Sequence, residues 1–368
     1  MDKGETMKGE IMEKAKNEDA TFSVMKGIAI TGVVVGHICV GTYCDTFVNQ
    51  FDLATFFFVA GYFLKEKYFT DLKSFIWRRF KQLYIPFMLF GLLFIITHNL
   101  FYRINIESNQ YDWGSIFHEL RNITIGMTSE EPLMGAMWFC PALLIVSIIS
   151  ATVLKFVKNQ SNVFFKLLFI ISILLIGWTL CLLNIKSPRC LWEYMQICGI
   201  YYAGYYFHKY KPYFTISNKC LVGGVALLLL VVIYGLNQQG FMGNLQSAAI
   251  KNENVLIMTL IGICGSLAVF YASTLITQKK TLLSNVLTII GNNSFAIMAL
   301  HFLSFKLVSF CVIVIKQKEI SHLSDFPTLK EVESEWILLY ILMGVALPII
   351  LNIIFSPILK PLKFIRHA

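Results

Sequence analysis

Charge is scarce in this chain. Only 14% of its 368 residues are Asp, Glu, Lys or Arg, against 56% hydrophobic, and a soluble chain of that length needs far more charge to cover its surface. A signal peptide is not evident either: the opening MDKGETMKGEIMEKAKNEDA is charged throughout, has no apolar centre, and reads as a short cytoplasmic tail over 1–22. No internal repeat, low-complexity tract or soluble second domain stands out. The nine cysteines are scattered, several inside apolar runs (Cys140, Cys181, Cys198, Cys264, Cys311), and none form a CxxC pair. They read as small buried hydrophobes, and no metal is expected. Cys44 and Cys190 both fall near the expected outer surface, and a disulfide between them is left open.

What is present is a series of apolar runs of about 20 residues, the length that crosses a bilayer as a helix. Ten candidate spans follow: 24–43, 47–64, 83–101, 133–154, 167–184, 193–208, 219–236, 254–277, 294–315 and 336–355. The expected fold is an all-α polytopic membrane protein, with a transmembrane domain over 23–356 and a short tail over 357–368. Segments on the N-terminal side of the membrane hold most of the Lys and Arg, which makes both termini cytoplasmic. The net charge of +9 is therefore a topology signal and implies no nucleic acid. In the long outward loop 102–132, YDWGSIFHELRNITIGM has helical amphipathic spacing and is expected to lie flat on the bilayer. Its Trp113 either stacks on a sugar ring or anchors that helix in the interface.

Two side chains in MKGIAITGVVVGHICV, residues 25–40, are awkward in hydrocarbon. Lys26 and His37 are eleven residues apart, so at about 100° per residue they share one helix face, separated by a rise of about 16 Å. An intramembrane ionisable group normally faces the protein interior or a watery cavity and works there. Gly27, Gly32 and Gly36 on the same helix allow another backbone to approach closely. In FDLATFFFVAGYF, counting from the cytoplasmic end places Asp52 at the depth of His37, where it either orients the imidazole or faces a polar cavity. Arg78, Arg79 and Lys81 lie where the third span leaves the cytoplasm and suit phosphate oxygens. In GNNSFAIMALHFLSFK, Asn292, Asn293 and Ser294 are helix-capping residues whose free N–H groups make an anion site. His301 and Lys306 follow, and capping does not explain that histidine.

These segments resemble, in order, those of the acyltransferase-3 family of integral membrane O-acyltransferases. A basic residue, ten residues and a histidine appear as Lys26 and His37. FFFVAGYFL (56–64), RRFKQLYIPF (78–87), MWFCPALL (137–144) with Trp138, and GNNSFAIMALH (291–301) match four further family segments. The chain departs from the family at Ala60, where a serine is usual, at Asp52, where a histidine is common, and at Gln82, where a second arginine is expected.

The resemblance implies transfer of an acyl group, usually acetyl, from cytoplasmic acyl-CoA to a hydroxyl of a surface polysaccharide or lipid-linked glycan, in the inner (plasma) membrane. On that reading His37 is the base or the acyl acceptor, with Asp52 orienting it. Lys26, Arg78, Arg79, Lys81, Asn292 and Ser294 hold the donor; His301, Trp138 and Trp113 meet the acceptor. The rival class is a proton-coupled transporter or flippase of glycan or lipid intermediates.

Overall fold

The computed structural model describes residues 3–38, 43–214, 216, 218–241, 245, 254–330 and 332–359. Its described residues are helical with no strand, as the apolar periodicity requires. In chain order the helices are α1 (Lys3–Ile38), α2 (Tyr43–Val48), α3 (Asp52–Tyr62), α4 (Leu72–Arg103), α5 (Trp113–Arg121), α6 (Phe139–Val157) and α7 (Val163–Leu182). There follow α8 (Leu191–Phe214), α9 (Lys219–Gln238), α10 (Val255–Thr277), α11 (Leu282–Asn292), α12 (Ser294–Lys316) and α13 (Ser334–Leu359). The expected tail over 357–368 falls mostly outside the described residues, and the helix α1 reaches back to Lys3 through the region expected as an N-terminal tail.

Eight segments among the described residues are long and apolar enough to cross a membrane, against ten expected. The difference lies in 47–64 and 193–208. The first breaks at residues 49–51: Gln50 and Phe51 donate backbone N–H groups to Phe47 and Val48, and the Asn49 amide turns back to the Asp45 carboxylate. This tight turn leaves α3 only 11 residues long. The second is α8, continuous, with Glu193, Tyr194, Tyr201, Tyr202 and Tyr205 buried along it and His208 and Lys209 exposed toward its end. The polarity of the buried part is tolerated because it packs against protein rather than lipid. Cys44 and Cys190 are free thiols and do not pair.

The enclosed helices α1, α3, α8, α10 and α12 form the centre, while α7, α9 and α13 turn many large apolar side chains outward. Close backbone contact between α3 and α8 depends on two glycines. A Cβ on Gly61 would collide with the Tyr201 carbonyl, and one on Gly204 with the Phe58 carbonyl. Without a hydrophobic drive between helices in lipid, such close packing is what holds them together. The helix α3 runs antiparallel to α1: Asp52 meets Gly32, and the Tyr62 ring lies 4.1 Å from that of Phe22.

Gly204→Ala should lower the melting temperature in detergent, since forcing a methyl into a filled contact costs about 1–3 kcal/mol. Gly224→Ala, on an open face of α9 with nothing within 4 Å, should leave it unchanged or raise it. Equal melting temperatures for the two variants would contradict the α3–α8 contact.

Candidate functional site

Two helices bring the two central histidines together. Unbroken helix from Lys26 to Ile38 carries His37 to the far end of α1, on the face it shares with Lys26. At the near end, a Cβ on Gly27 would strike the Leu287 carbonyl and one on Gly291 the Ser23 carbonyl, so α11 presses backbone to backbone on α1. The chain then turns at Asn293, and α12 starts beside α1. His301 thereby arrives next to His37, their ring centroids 5.3 Å apart and their planes at 24°. Phe302 covers the pair, 4.8 Å from His37 and 4.2 Å from His301.

The two rings are held differently. His301 is fully buried, and its Nδ1 faces two backbone carbonyls of its own helix, Ile297 at 2.9 Å and Met298 at 3.1 Å. Two acceptors at one nitrogen require a proton there, so Nδ1–H donates and Nε2 is left with its lone pair. That Nε2 is buried and has no hydrogen-bond partner. His37 is partly exposed and makes no hydrogen bond among the described residues. A bare, buried imidazole nitrogen can accept a proton from a bound hydroxyl.

Asp52 does not orient His37. It sits at the first turn of α3, accepts the N–H of Leu53, and packs its Cβ where a Cβ on Gly32 would be 3.2 Å away. Gly32 is five residues before His37, a rise of about 7.5 Å. The break at 49–51 shortens the second helix and shifts the register on which equal depth was expected. A buried carboxylate at a helix N-terminus is stabilised by the free N–H groups there.

Near-end cations spread rather than cluster. Arg78 donates to the Tyr68 hydroxyl at 2.7 Å, Lys81 lies over Trp77 at 4.8 Å, and Arg79 turns inward past Phe75 toward the Tyr201 hydroxyl. Asn292 accepts from Ser23 Oγ at 2.8 Å, which sets it one turn from Lys26. Asn293 makes no side-chain cap for α12; its Oδ1 accepts from Asn352 at 2.8 Å instead. Ser294 is buried at the first position of α12. Trp138 ends a tight turn, Pro132–Trp138, whose Gly135 abuts Phe302 and Phe326. Trp113 is 77% exposed on the surface helix α5, away from the histidines.

Sequence reasoning missed two groups. Lys211 donates to the Tyr62 hydroxyl at 3.0 Å beside a near-end cleft of about 160 Å³ lined by Thr21, Phe214, Phe270, Tyr271 and Gln278; in sequence it is one of many topology lysines. At the far end, His98, Glu107 and Glu131 come together under the outer loop, with Glu131 Oε2 at 2.7 Å from His98 Nδ1. Burial first, and then repulsion from Glu131, push the Glu107 carboxyl well above its ordinary range. His98 inside an apolar run was the available signal.

A family model described as an acyltransferase domain matches residues 19–354, nearly the whole chain. No curated protein and no solved structure matches it.

Nitrogen-labelled histidine NMR of the purified protein should show one ring with a protonated Nδ1 and an unprotonated Nε2, and that signal should vanish in His301→Gln. A protonated Nε2 on His301 would overturn the assignment.

Proposed function

The chain belongs to the acyltransferase-3 family and is a multi-pass membrane acyltransferase; on that premise we propose that it moves an acetyl group from cytoplasmic acyl-CoA to a hydroxyl of a surface polysaccharide or lipid-linked glycan, in the inner (plasma) membrane. The observation that carries this reading is the His37–His301 pair, one nitrogen bare, enclosed between a cationic near end and a polar far end.

The near end is cytoplasmic in this proposal. Lys26, with Asn292 one turn away, and Arg79, turned inward, receive the donor's phosphates; Arg78 and Lys81 stand at the outer edge of that zone. Ser294 lines the start of α12. The pantetheine arm then follows the Lys26–His37 face, and the thioester carbonyl reaches the paired rings. The glycan comes from the opposite side, where Trp138 borders the approach. Trp113 keeps α5 in the interface.

Transfer proceeds as one of the two imidazoles takes the hydroxyl proton while the oxygen attacks the thioester carbonyl. The carbon–sulfur bond breaks, and the resulting thiolate recovers that proton from the imidazolium. General base action of this kind is typically worth roughly 10²–10⁴-fold.

Labelled acetyl-CoA given to membranes should leave label in glycan, and His37→Ala or His301→Ala at matched protein levels should lower the rate by roughly 10²–10⁴-fold. Label in neither protein nor glycan would favour the transporter reading. Lys26→Glu should raise the donor KM by roughly tenfold or more, the loss of one charged contact worth about 1.5–3 kcal/mol, with kcat little changed. Asp52→Asn, which keeps the acceptor for Leu53, should retain most activity; a loss as large as that of His37→Ala would restore Asp52 to the mechanism.

A further inference from the structure

The far-end cluster joins three separate pieces of chain. His98 lies near the end of α4, Glu107 in the loop that follows, and Glu131 just before the Pro132–Trp138 turn. All three are buried, at 0%, 5% and 2% exposure, and their ligand atoms lie within 4.8 Å of one another. His98 is clamped from two further directions: its ring stacks on Tyr111 with centroids 3.4 Å apart, and its Nε2 meets the Asn109 carbonyl at 3.0 Å. A carbonyl can only accept, so Nε2 carries a proton. Nδ1 meets a Glu131 carboxylate oxygen 2.7 Å away, where a proton or a metal ion must lie between the two.

Two carboxylates face one imidazole there. They lie within hydrogen-bond reach of each other, yet Glu107 Oε1 and Glu131 Oε1 are both buried without a hydrogen-bond partner among the described residues. Lys306 is the nearest cation to Glu107 but gives its protons to the carbonyls of Leu323 at 3.0 Å and Asp325 at 2.6 Å. No ion pair contacts Glu107 among the described residues. Leaving buried acceptors unsatisfied costs about 1–3 kcal/mol each, more for charged groups.

We propose that His98 Nδ1, Glu107 and Glu131 bind one divalent metal ion of the zinc or manganese class. One imidazole and two carboxylates are a ligand set for such ions, whereas magnesium and calcium take oxygen alone. The hydrogen bond from Nε2 to Asn109 is the outer contact that metal-bound histidines commonly make. Tetrahedral ligand atoms bonded to zinc at about 2.0–2.2 Å lie about 3.4 Å apart, between the 2.7 Å of the His98–Glu131 contact and the 4.8 Å within which all three ligand atoms fall. The ion fastens the outer loop to α4 and to the turn carrying Gly135, which abuts Phe302 over the histidine pair. It is a structural site, and it stands whether or not the acyl-transfer reading does. It departs from the expectation of no metal, which rested on cysteine spacing and could not see three ligands spread over 33 residues.

The test uses full-length protein in detergent. Elemental analysis should find close to one equivalent of zinc or manganese per chain. Stripping it with a chelator should lower the melting temperature, with recovery on adding Zn²⁺ or Mn²⁺ and none with Mg²⁺. Glu107→Gln and His98→Gln should each lose the metal and the chelator sensitivity; should these variants fail to fold, the wild-type measurements still decide. Wild-type protein with no bound metal, and a melting temperature indifferent to chelator, Zn²⁺ and Mn²⁺, would overturn the proposal and show that protons alone hold the cluster.

Discussion

The contact between α1 and α11 at Gly27 and Gly291 positions the pair of stacked histidines. Because neither residue has a side chain, the two backbones touch, and this fixes where the chain turns into α12. From Gly291 to His301 is ten residues, and from Gly27 to His37 is also ten. His37 stands about 15 Å beyond Gly27 on the unbroken α1, while His301 stands about 10 Å into α12, which starts at Ser294 after the turn at Asn293. A side chain at either glycine would separate the helices and offset one ring from the other. The pairing is thus a consequence of two residues that have no chemistry of their own, about ten positions distant from it.

Polarity along the axis follows from the same frame. Near-end groups are mainly cations: Lys26, Arg79 and Lys211, the last two close to tyrosine hydroxyls. Far-end groups include the acidic pair Glu107 and Glu131. Between them the hydroxyls of Tyr201 and Tyr202 on α8 face those of Ser147 and Ser150 on α6, close to Arg79. Polar atoms inside an apolar medium are costly unless they meet one another, and facing hydroxyls across two helices reduce that cost.

The helical frame and its central residues were readable in the sequence because hydropathy and the eleven-residue interval are local properties. Lys26 and His37 lie on one unbroken helix as the interval required, and the backbone approach expected of Gly27, Gly32 and Gly36 occurs at Gly27, against Leu287, while Gly32 and Gly36 meet side chains, those of Asp52 and of Asn49. Registers between helices were not readable. Counting residues put Asp52 level with His37, but a turn held by Asp45, Asn49 and Gln50 shortened the helix, and the depth of Gly32 decided the match. The partner that does face His37 is 264 positions away in sequence. Likewise, the sequence groups Arg78, Arg79 and Lys81, yet helix geometry turns Arg79 inward and leaves the others toward Tyr68 and Trp77. His98 was hidden for the same reason, since its partners Asn109 and Glu131 come from loops.

The way His301 is held also explains why a carboxylate is not needed beside it. An aspartate paired to an imidazole fixes its tautomer but brings a full charge into a medium that penalises it by several kcal/mol. Two carbonyls of the preceding turn fix the same tautomer with dipoles that the helix already supplies, adding no net charge. The cost is a weaker pull on the proton, because a carbonyl stabilises an imidazolium less than a carboxylate does. The stacked His37 ring adds a contact without adding charge. Buried deep among apolar helices, two neutral rings are therefore cheaper to hold than one ring and one fixed anion. Asp52 is buried at a helix N-terminus one and a half turns below, where its carboxyl accepts the Leu53 N–H.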